Sequence, residues 1–244
     1  MRKAVRKRRQ RRLILLASSL AVIGAGVLIV MFVQGGDDAP QPSASPSNTV
    51  VAPTPQPVAC GAELPAAAAS RKASYSAPTD QKLDEDKTYI LRLETSCGDI
   101  EVELDVKESP ETANSVAFLA RSGFYNGLVF HRIVPGFVIQ GGDPRGSGQG
   151  GPGYDLIEPP PDDFTYEEGV VAMAKTQNDP VGTSGSQFFI VSGPDAADLP
   201  AEYAVLGKVV DGMEVVEKIE ELGAAGQSEP SAWAYIERAN ILEG

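Results

Sequence analysis

Histidine and cysteine are scarce in this chain of 244 residues: His131 is the one histidine, and Cys60 and Cys97 are the two cysteines. A zinc site built from several histidines is therefore excluded, and at most one imidazole is available as a general base. Two cysteines and one distant histidine are also too few ligands for a structural metal site. The sequence predicts neither a metal nor a cofactor.

Two glycine-rich segments are similar to known enzyme motifs but lack the surrounding sequence that those motifs require. GSGQGG at residues 146–151 has the GxGxxG spacing of dinucleotide-binding loops, yet a proline and a glycine follow where a helix should begin. A surface loop beside a site is the better interpretation.

GTSGS at residues 182–186 is similar to the nucleophile turn of trypsin-like serine proteases, and His131 precedes it. Those proteases need two barrels, and only 53 positions separate His131 from Ser184, so a protease is the weaker alternative.

Basic residues are concentrated at the N-terminus, and the rest of the chain is strongly acidic. Residues 1–12 contain eight lysines or arginines and no acid, as in a basic cytoplasmic tail. Of the 21 basic residues, 13 remain to face all 33 acidic ones, which leaves that part of the chain at about −20. An acidic body repels the phosphates of nucleic acids, so we expect no nucleic-acid partner.

An uncharged apolar run follows the basic cluster. Residues 13–33, LILLASSLAVIGAGVLIVMFV, would span roughly 30 Å as a helix, which is the thickness of the hydrocarbon core of a membrane. Positive charge before the run and acid after it place the N-terminus in the cytoplasm and the rest of the chain outside. We expect a single-pass transmembrane anchor in the cell membrane. A cleaved signal peptide, which would make the protein secreted, is the alternative.

Composition divides the rest of the chain into three parts. Residues 34–59 are rich in proline, serine and alanine and have no hydrophobic period, which predicts a disordered linker. Residues 60–86 would be an N-terminal extension, and residues 87–244 are long enough for one domain, which we expect to be monomeric. Because the compartment outside the membrane is oxidising, we expect a disulfide between Cys60 and Cys97; two unrelated thiols are the alternative.

The hydrophobic pattern of the domain predicts many short strands and two helices. YILRLETSCGDIEVELD, from residue 89, alternates with period two around a turn at residues 96–99, as in a hairpin with one buried face. A helix is predicted from Ser109 as N-cap to Gly123 as stop, with an inner side of Ala113, Val116, Ala117 and Ala120. Further strands are predicted at residues 128–134, 137–141, 169–174, 187–191, 204–210 and 234–241, and a second helix at residues 213–222. This pattern favours a mainly β fold, a closed or nearly closed barrel with helical lids.

Two segments, FHRIVPGFVIQGGD (residues 130–143) and GSQFFI (residues 185–190), together resemble the cyclophilin family of peptidyl-prolyl cis-trans isomerases. SPETANSVAFL, GVVAMA and YAVLGKVVDGMEVVEKI extend the resemblance, which covers residues 87–241. The resemblance implies an eight-stranded antiparallel β-barrel capped by two α-helices. It also implies isomerase activity, with proline-containing unfolded or extended chains as partners, and the predicted anchor would make these extracytoplasmic polypeptides. A proline-peptide binding or chaperone module is the alternative function.

The same resemblance assigns roles to individual residues. Arg132 would be the catalytic residue, and Gln140 would bind and orient it by a hydrogen bond. The proline pocket would be formed by Phe137, Val138, Phe189 and Leu199, with Gln187 and Tyr203 in contact with the peptide. Taken alone, Arg132 in an apolar strand is as readily explained by a structural ion pair, and the apolar residues by core packing.

Strand alternation gives separate roles to the adjacent residues His131 and Arg132. Phe130 and Arg132 are expected to face one side of the strand and His131 the other, so His131 is interpreted as a structural neighbour of Arg132. The sequence leaves open whether Lys175 or Asn178 contacts the peptide backbone.

The implied chemistry suits the scarcity of catalytic groups. Rotation about an X–Pro bond breaks amide resonance, a barrier of ~20 kcal/mol, but makes and cuts no covalent bond. It therefore needs no nucleophile, metal or cofactor. A donor that stabilises the twisted amide at the proline nitrogen and an apolar pocket that holds the ring are sufficient.

Overall fold

A computed structural model of the protein describes residues 57–63, 74–226 and 228–244. The predicted basic tail (1–12), the apolar run (13–33) and residues 34–56 of the predicted linker lie outside these ranges. Within the described ranges, no helix is both long enough and apolar enough to cross a membrane.

The described residues form two α-helices and eleven β-strands. The helices are α1 (Pro110–Arg121) and α2 (Met213–Glu220). The strands, in chain order, are β1 (Tyr89–Thr95), β2 (Gly98–Leu104), β3 (Leu128–Val129), β4 (Arg132–Val134), β5 (Val138–Gly141), β6 (Leu156–Ile157), β7 (Val170–Met173), β8 (Thr183–Ser184), β9 (Phe188–Val191), β10 (Val205–Asp211) and β11 (Tyr235–Glu243). The predicted mainly β fold with two helices is confirmed, and β6 and β8 are short strands that the sequence pattern does not predict.

Nine of these strands form one antiparallel sheet in the order β3-β11-β1-β2-β10-β7-β9-β5-β4, and β6 pairs with β8. The two edge strands, β3 and β4, are separated in the chain only by Phe130 and His131. The sheet therefore curls until both of its edges lie in one chain segment.

The prediction of a single strand at residues 128–134 is wrong. Its first half, β3, pairs with β11, and its second half, β4, pairs with β5 at the opposite edge of the sheet. One continuous strand cannot pair in both places, so the chain leaves strand geometry at Phe130 and His131. This break explains why the sheet has nine strands where eight were expected.

Helix α1 begins where the sequence predicts, but another side chain caps it. Ser109 occupies the N-cap position without a side-chain hydrogen bond. The carboxylate of Glu158 instead accepts the backbone N–H groups of Glu111 at 3.0 Å and Thr112 at 2.7 Å. These are first-turn donors that have no partner inside the helix, and a negative charge beside them is favourable. Gly123 follows the helix with φ +69°, as predicted for the residue that ends it.

The buried side chains form two apolar clusters. The larger contains the predicted inner side of α1 and the apolar faces of β1 and β2, whose pairing places Leu93 opposite Ile100. Phe130 and Ile133 both belong to it, so the prediction that Phe130 and Arg132 share a face is wrong. The strand break at residues 130–131 interrupts the alternation on which that prediction depended.

The smaller cluster contains Val138, Tyr166 and Phe189, among other buried residues. Phe137, Leu199 and Tyr203 pack against it while remaining partly exposed. This cluster forms the floor of the site described below.

The folded part of the chain begins by Pro57, within the segment predicted as linker. The backbone N–H of Trp233 donates to the carbonyl of Pro57 at 2.8 Å, and that of Ala59 donates to the carbonyl of Trp233 at 2.9 Å. The predicted disulfide between Cys60 and Cys97 is confirmed, with a Cα–Cα distance of 5.2 Å. It attaches this N-terminal segment to the turn between β1 and β2.

We predict that removing the disulfide destabilises the domain without changing its fold. The double variant Cys60→Ser/Cys97→Ser should lose about 2–4 kcal/mol of unfolding free energy, because the bond closes a loop across 37 positions. Urea unfolding of the variant beside the oxidised wild type measures the difference. Alkylation of both cysteines in native protein without a reductant would contradict the bond.

Candidate active site

The register of three neighbouring strands brings the predicted site residues onto one face of the sheet. Arg132 on β4 pairs with Gln140 on β5, and Gln140 pairs with Phe189 on β9. Residues directly opposite each other in antiparallel strands point to the same face. Arg132, Gln140 and Phe189 therefore form one row across the sheet.

A cavity of about 330 Å³ lies over this row. Seven of the predicted site residues line it: Arg132, Phe137, Val138, Gln140, Phe189, Leu199 and Tyr203. Gln187 lines a neighbouring cavity of about 180 Å³ instead, and Gln140 lines both. Ala174 and Lys175 complete the lining of the larger cavity.

Aromatic rings form the apolar wall of the larger cavity. The ring of Phe189 meets that of Tyr203 edge to face, with centroids 5.4 Å apart. Behind them the ring of Tyr166 lies 5.9 Å from Tyr203 and 6.2 Å from Phe189. Edge-to-face packing of this kind fixes the rings and leaves an apolar surface of defined shape.

Tyr166 supports the wall of the cavity without lining it, and the sequence patterns do not predict this role. Its hydroxyl accepts the backbone N–H of Tyr203 at 2.9 Å and donates to the carbonyl of the same residue at 2.7 Å. Burial raises the pKa of Tyr166 to about 12, so the hydroxyl keeps the proton that it donates. No motif marks Tyr166, because its function depends on a loop 37 positions away in the chain.

Arg132 and Lys175 are the two charged residues that line the larger cavity. Nη1 of Arg132 donates to Oε1 of Gln140 at 3.3 Å, and its guanidinium carbon lies 5.6 Å from the centroid of the Phe137 ring. Desolvation lowers the pKa of Arg132, but an arginine stays protonated in proteins. Among the described residues, no carboxylate forms an ion pair with Arg132. The guanidinium is therefore not half of the structural ion pair that its sequence context allowed.

His131 lies apart from the larger cavity, as expected for a structural neighbour. Its side chain is buried, and a Cβ placed on Gly148 would lie 3.8 Å from its Nε2, so the ring packs under the glycine-rich loop. Desolvation lowers the pKa of His131, which favours the neutral imidazole. A neutral ring beside Arg132 adds no repulsion to the guanidinium.

Lys175, rather than Asn178, lies at the cavity. The Lys175 side chain is only 3% exposed, with its Nζ 3.1 Å from a carboxylate oxygen of Glu202 and 5.5 Å from the Tyr203 ring centroid. Asn178 is exposed and lines neither cavity. The contact of Lys175 with a peptide backbone stays a prediction.

Comparison with known proteins identifies the family to which this fold and site belong. The family model described as "Cyclophilin type peptidyl-prolyl cis-trans isomerase/CLD" matches residues 90–241. Peptidyl-prolyl cis-trans isomerase B of Bacillus subtilis is 47% identical over 116 residues, which are 47% of this chain and 78% of that protein. A peptidyl-prolyl cis-trans isomerase of Helicobacter pylori is 39% identical over 138 residues, 55% of this chain and 82% of that protein.

Solved structures agree with this assignment. The crystal structure of a cyclophilin type peptidyl-prolyl cis-trans isomerase from Cryptosporidium parvum matches with a TM-score of 0.58 and 31% identity, covering 64% of this chain and 99% of that one. A structure of the same protein in the presence of the dipeptide Ala-Pro matches with the same TM-score and coverage, at 32% identity. The chain therefore belongs to the cyclophilin-type peptidyl-prolyl cis-trans isomerase family.

We predict that Tyr166→Phe weakens the binding of proline peptides. The variant removes only the hydroxyl that holds both backbone groups of Tyr203, so the cavity wall should shift and peptide affinity should fall about fivefold, equivalent to roughly 1 kcal/mol. Titration of a proline peptide into each protein measures the affinity. Tyr235→Phe on β11 is the control and should leave affinity unchanged. A variant that loses stability but keeps its peptide affinity would show that the hydroxyl only supports the fold.

Proposed function

We propose that this chain accelerates rotation about X–Pro bonds in unfolded or extended polypeptides, with Arg132 as the catalytic residue. The observation that carries the proposal is the lining of the larger cavity. A guanidinium that forms no ion pair with any described carboxylate and an apolar, aromatic wall face the same space of about 330 Å³, a size that suits a proline ring with its flanking backbone.

The proposed mechanism requires only binding and charge stabilisation. As the amide twists, the proline nitrogen loses its resonance with the carbonyl and gains a localised lone pair. Arg132 carries five N–H donors, and the hydrogen bond to Gln140 uses one of them. Donors remain for the proline nitrogen and for the peptide carbonyl, and interactions that strengthen as the amide twists lower the barrier.

The apolar wall would hold the proline ring while the rest of the amide turns. Phe189 and Tyr203 are fixed against each other by edge-to-face packing, and the ring of Phe137 lies under the guanidinium of Arg132. A relative from Cryptosporidium parvum was crystallised in the presence of Ala-Pro, which supports a proline-containing ligand for this site.

We predict that Arg132→Ala lowers kcat/KM for a proline peptide by about a hundredfold, because it removes the donor that acts in the transition state (~3 kcal/mol). Arg132→Lys should recover little of this loss, since a compact ammonium cannot contact two acceptors as a guanidinium does. A peptide isomerisation assay on residues 57–244 measures the rates, with a variant of the exposed Arg238, Arg238→Ala, as the control.

Equal rates for wild type and Arg132→Ala would exclude the role of Arg132. A wild type that gives no acceleration but still binds the peptide would favour the binding-module alternative.

We also propose that the domain is monomeric and is held outside the cell membrane by residues 13–33. The disulfide between Cys60 and Cys97 supports an oxidising compartment, and the basic residues before the apolar run support a cytoplasmic N-terminus. Residues 34–56, if extended like polyproline, would reach about 70 Å, enough for the site to meet chains that emerge from the membrane. Uncatalysed prolyl isomerisation takes tens of seconds, so an isomerase placed there would assist folding.

We predict that the full chain fractionates with membranes and that detergent, but not high salt, releases it. Protease added outside intact cells stripped of their wall should digest the domain. A chain that lacks residues 1–33 is the control and should remain in the soluble fraction. A mature N-terminus located after Val33 would contradict the anchor and support cleavage.

A further inference from the structure

A buried carboxylate organises the glycine-rich loop beside the site. Asp143 follows β5 and is 1% exposed. Its oxygens accept the backbone N–H groups of Arg145 at 2.7 Å, Ser147 at 2.8 Å and Gly148 at 2.5 Å. Burial alone would raise the pKa of Asp143, but these backbone hydrogen bonds lower it below its usual value. The carboxylate is therefore ionised and is the centre around which the loop folds.

Gly150 closes the loop onto the same carboxylate. A Cβ placed on Gly150 would lie 1.8 Å from Oδ1 of Asp143, so any side chain there would push the loop away. The carbonyl of Gly150 accepts Nε2 of Gln187 at 2.8 Å. The close contact with Asp143 thus decides where this carbonyl lies.

The Gly150 carbonyl in turn determines the orientation of two amide side chains. A carbonyl can only accept, so Gln187 must present its NH₂ group to Gly150 and its Oε1 away from it. That Oε1 accepts Nε2 of Gln140 at 3.0 Å, which leaves Oε1 of Gln140 facing Arg132 at 3.3 Å. Were Gln140 reversed, its NH₂ group would face the guanidinium and repel it; were Gln187 reversed, its NH₂ group would face that of Gln140 and their hydrogen bond would be lost.

We propose that Asp143 is a positioning residue for Arg132, acting through Gly150, Gln187 and Gln140. Asp143 lines neither the larger cavity nor its neighbour. Asp143 holds the loop in place, and the loop places the carbonyl of Gly150. This carbonyl fixes the side-chain amide of Gln187, which in turn fixes that of Gln140. Oε1 of Gln140 then orients the guanidinium of Arg132. The proposal rests on the proposed function only in assigning catalysis to Arg132.

Asp143→Asn is the direct test, because it keeps the shape of the side chain and replaces one acceptor oxygen with an NH₂ group. We expect kcat for a proline peptide to fall about tenfold with KM changed less than twofold, since the guanidinium would lose its orientation while the apolar wall remains. Gly150→Ala should have the same effect through the contact with Asp143. Gly151→Ala is the matched control, because a Cβ at Gly151 would meet nothing within 4 Å. It should leave kcat unchanged.

NMR separates positioning from a purely structural role and does not depend on activity. In the wild type, the side-chain amide protons of Gln140 and Gln187 should exchange slowly, and the Arg132 side-chain N–H signal should be sharp. In Asp143→Asn and Gly150→Ala all three signals should shift or broaden, while the backbone spectrum of β1, β2 and α1 is retained.

Several results would overturn the proposal. Fast-exchanging Gln187 amide protons in the wild type would show that the hydrogen bond to Gly150 does not persist, and this result would hold even if no variant folded. Unchanged Arg132 and Gln140 signals in a folded Asp143→Asn protein, or a fall in stability with kcat retained, would show that Asp143 supports only the loop. Failure of the proposed function can be told apart from failure of this proposal. If the proposed function is wrong, the wild type gives no isomerisation. The NMR signals would then still decide whether Asp143 orients Arg132.

Discussion

The pairing of β4 with β5 is the constraint on which the site depends. It places Arg132 opposite Gln140, and the pairing of β5 with β9 places Phe189 in the same row. A shift of one residue between β4 and β5 would turn Arg132 to the face opposite Gln140 and Phe189, so the row would be lost. Two hydrogen bonds hold the turn that joins β4 and β5. Gly136 adopts φ +78°, its N–H donates to Glu220 of α2 at 2.9 Å, and its carbonyl accepts the N–H of Asp195 at 3.0 Å.

A second feature of this geometry is that Arg132 is half-buried and yet forms no ion pair with any carboxylate of the described residues. A carboxylate close to Arg132 would stabilise it further but would also occupy the donors that the proposed chemistry needs. The structure uses a neutral amide oxygen and an aromatic face instead, from Gln140 and Phe137. Both stabilise the charge weakly and leave most N–H groups free to face the cavity. The ionised carboxylate of this region, Asp143, instead accepts backbone donors of the glycine-rich loop.

Hydrophobic period and turn residues predicted the helices and strands whose formation depends on residues nearby in the chain. The hairpin of β1 and β2 has a strict alternation, and α1 has proline and glycine at its ends, so both were predicted within a few residues. The break at Phe130 and His131 was not predicted, because each half of that segment is held by a strand far away in the chain. The capping carboxylate of Glu158 was missed for the same reason: it lies 47 positions after Glu111, whose backbone N–H it accepts.

The sequence by itself determined the family and the cavity-lining residues that lie within its two marked segments, and it predicted the disulfide, because two cysteines allow one intramolecular pairing. Only the tertiary structure decided which groups support those residues. Tyr166 holds Tyr203, Lys175 rather than Asn178 lies at the cavity, and Asp143 reaches the site through Gly150. The physical reason is that hydrogen-bond direction and close backbone contact depend on the folded path of distant segments, whereas hydrophobic period and turn residues act within a few positions of the chain.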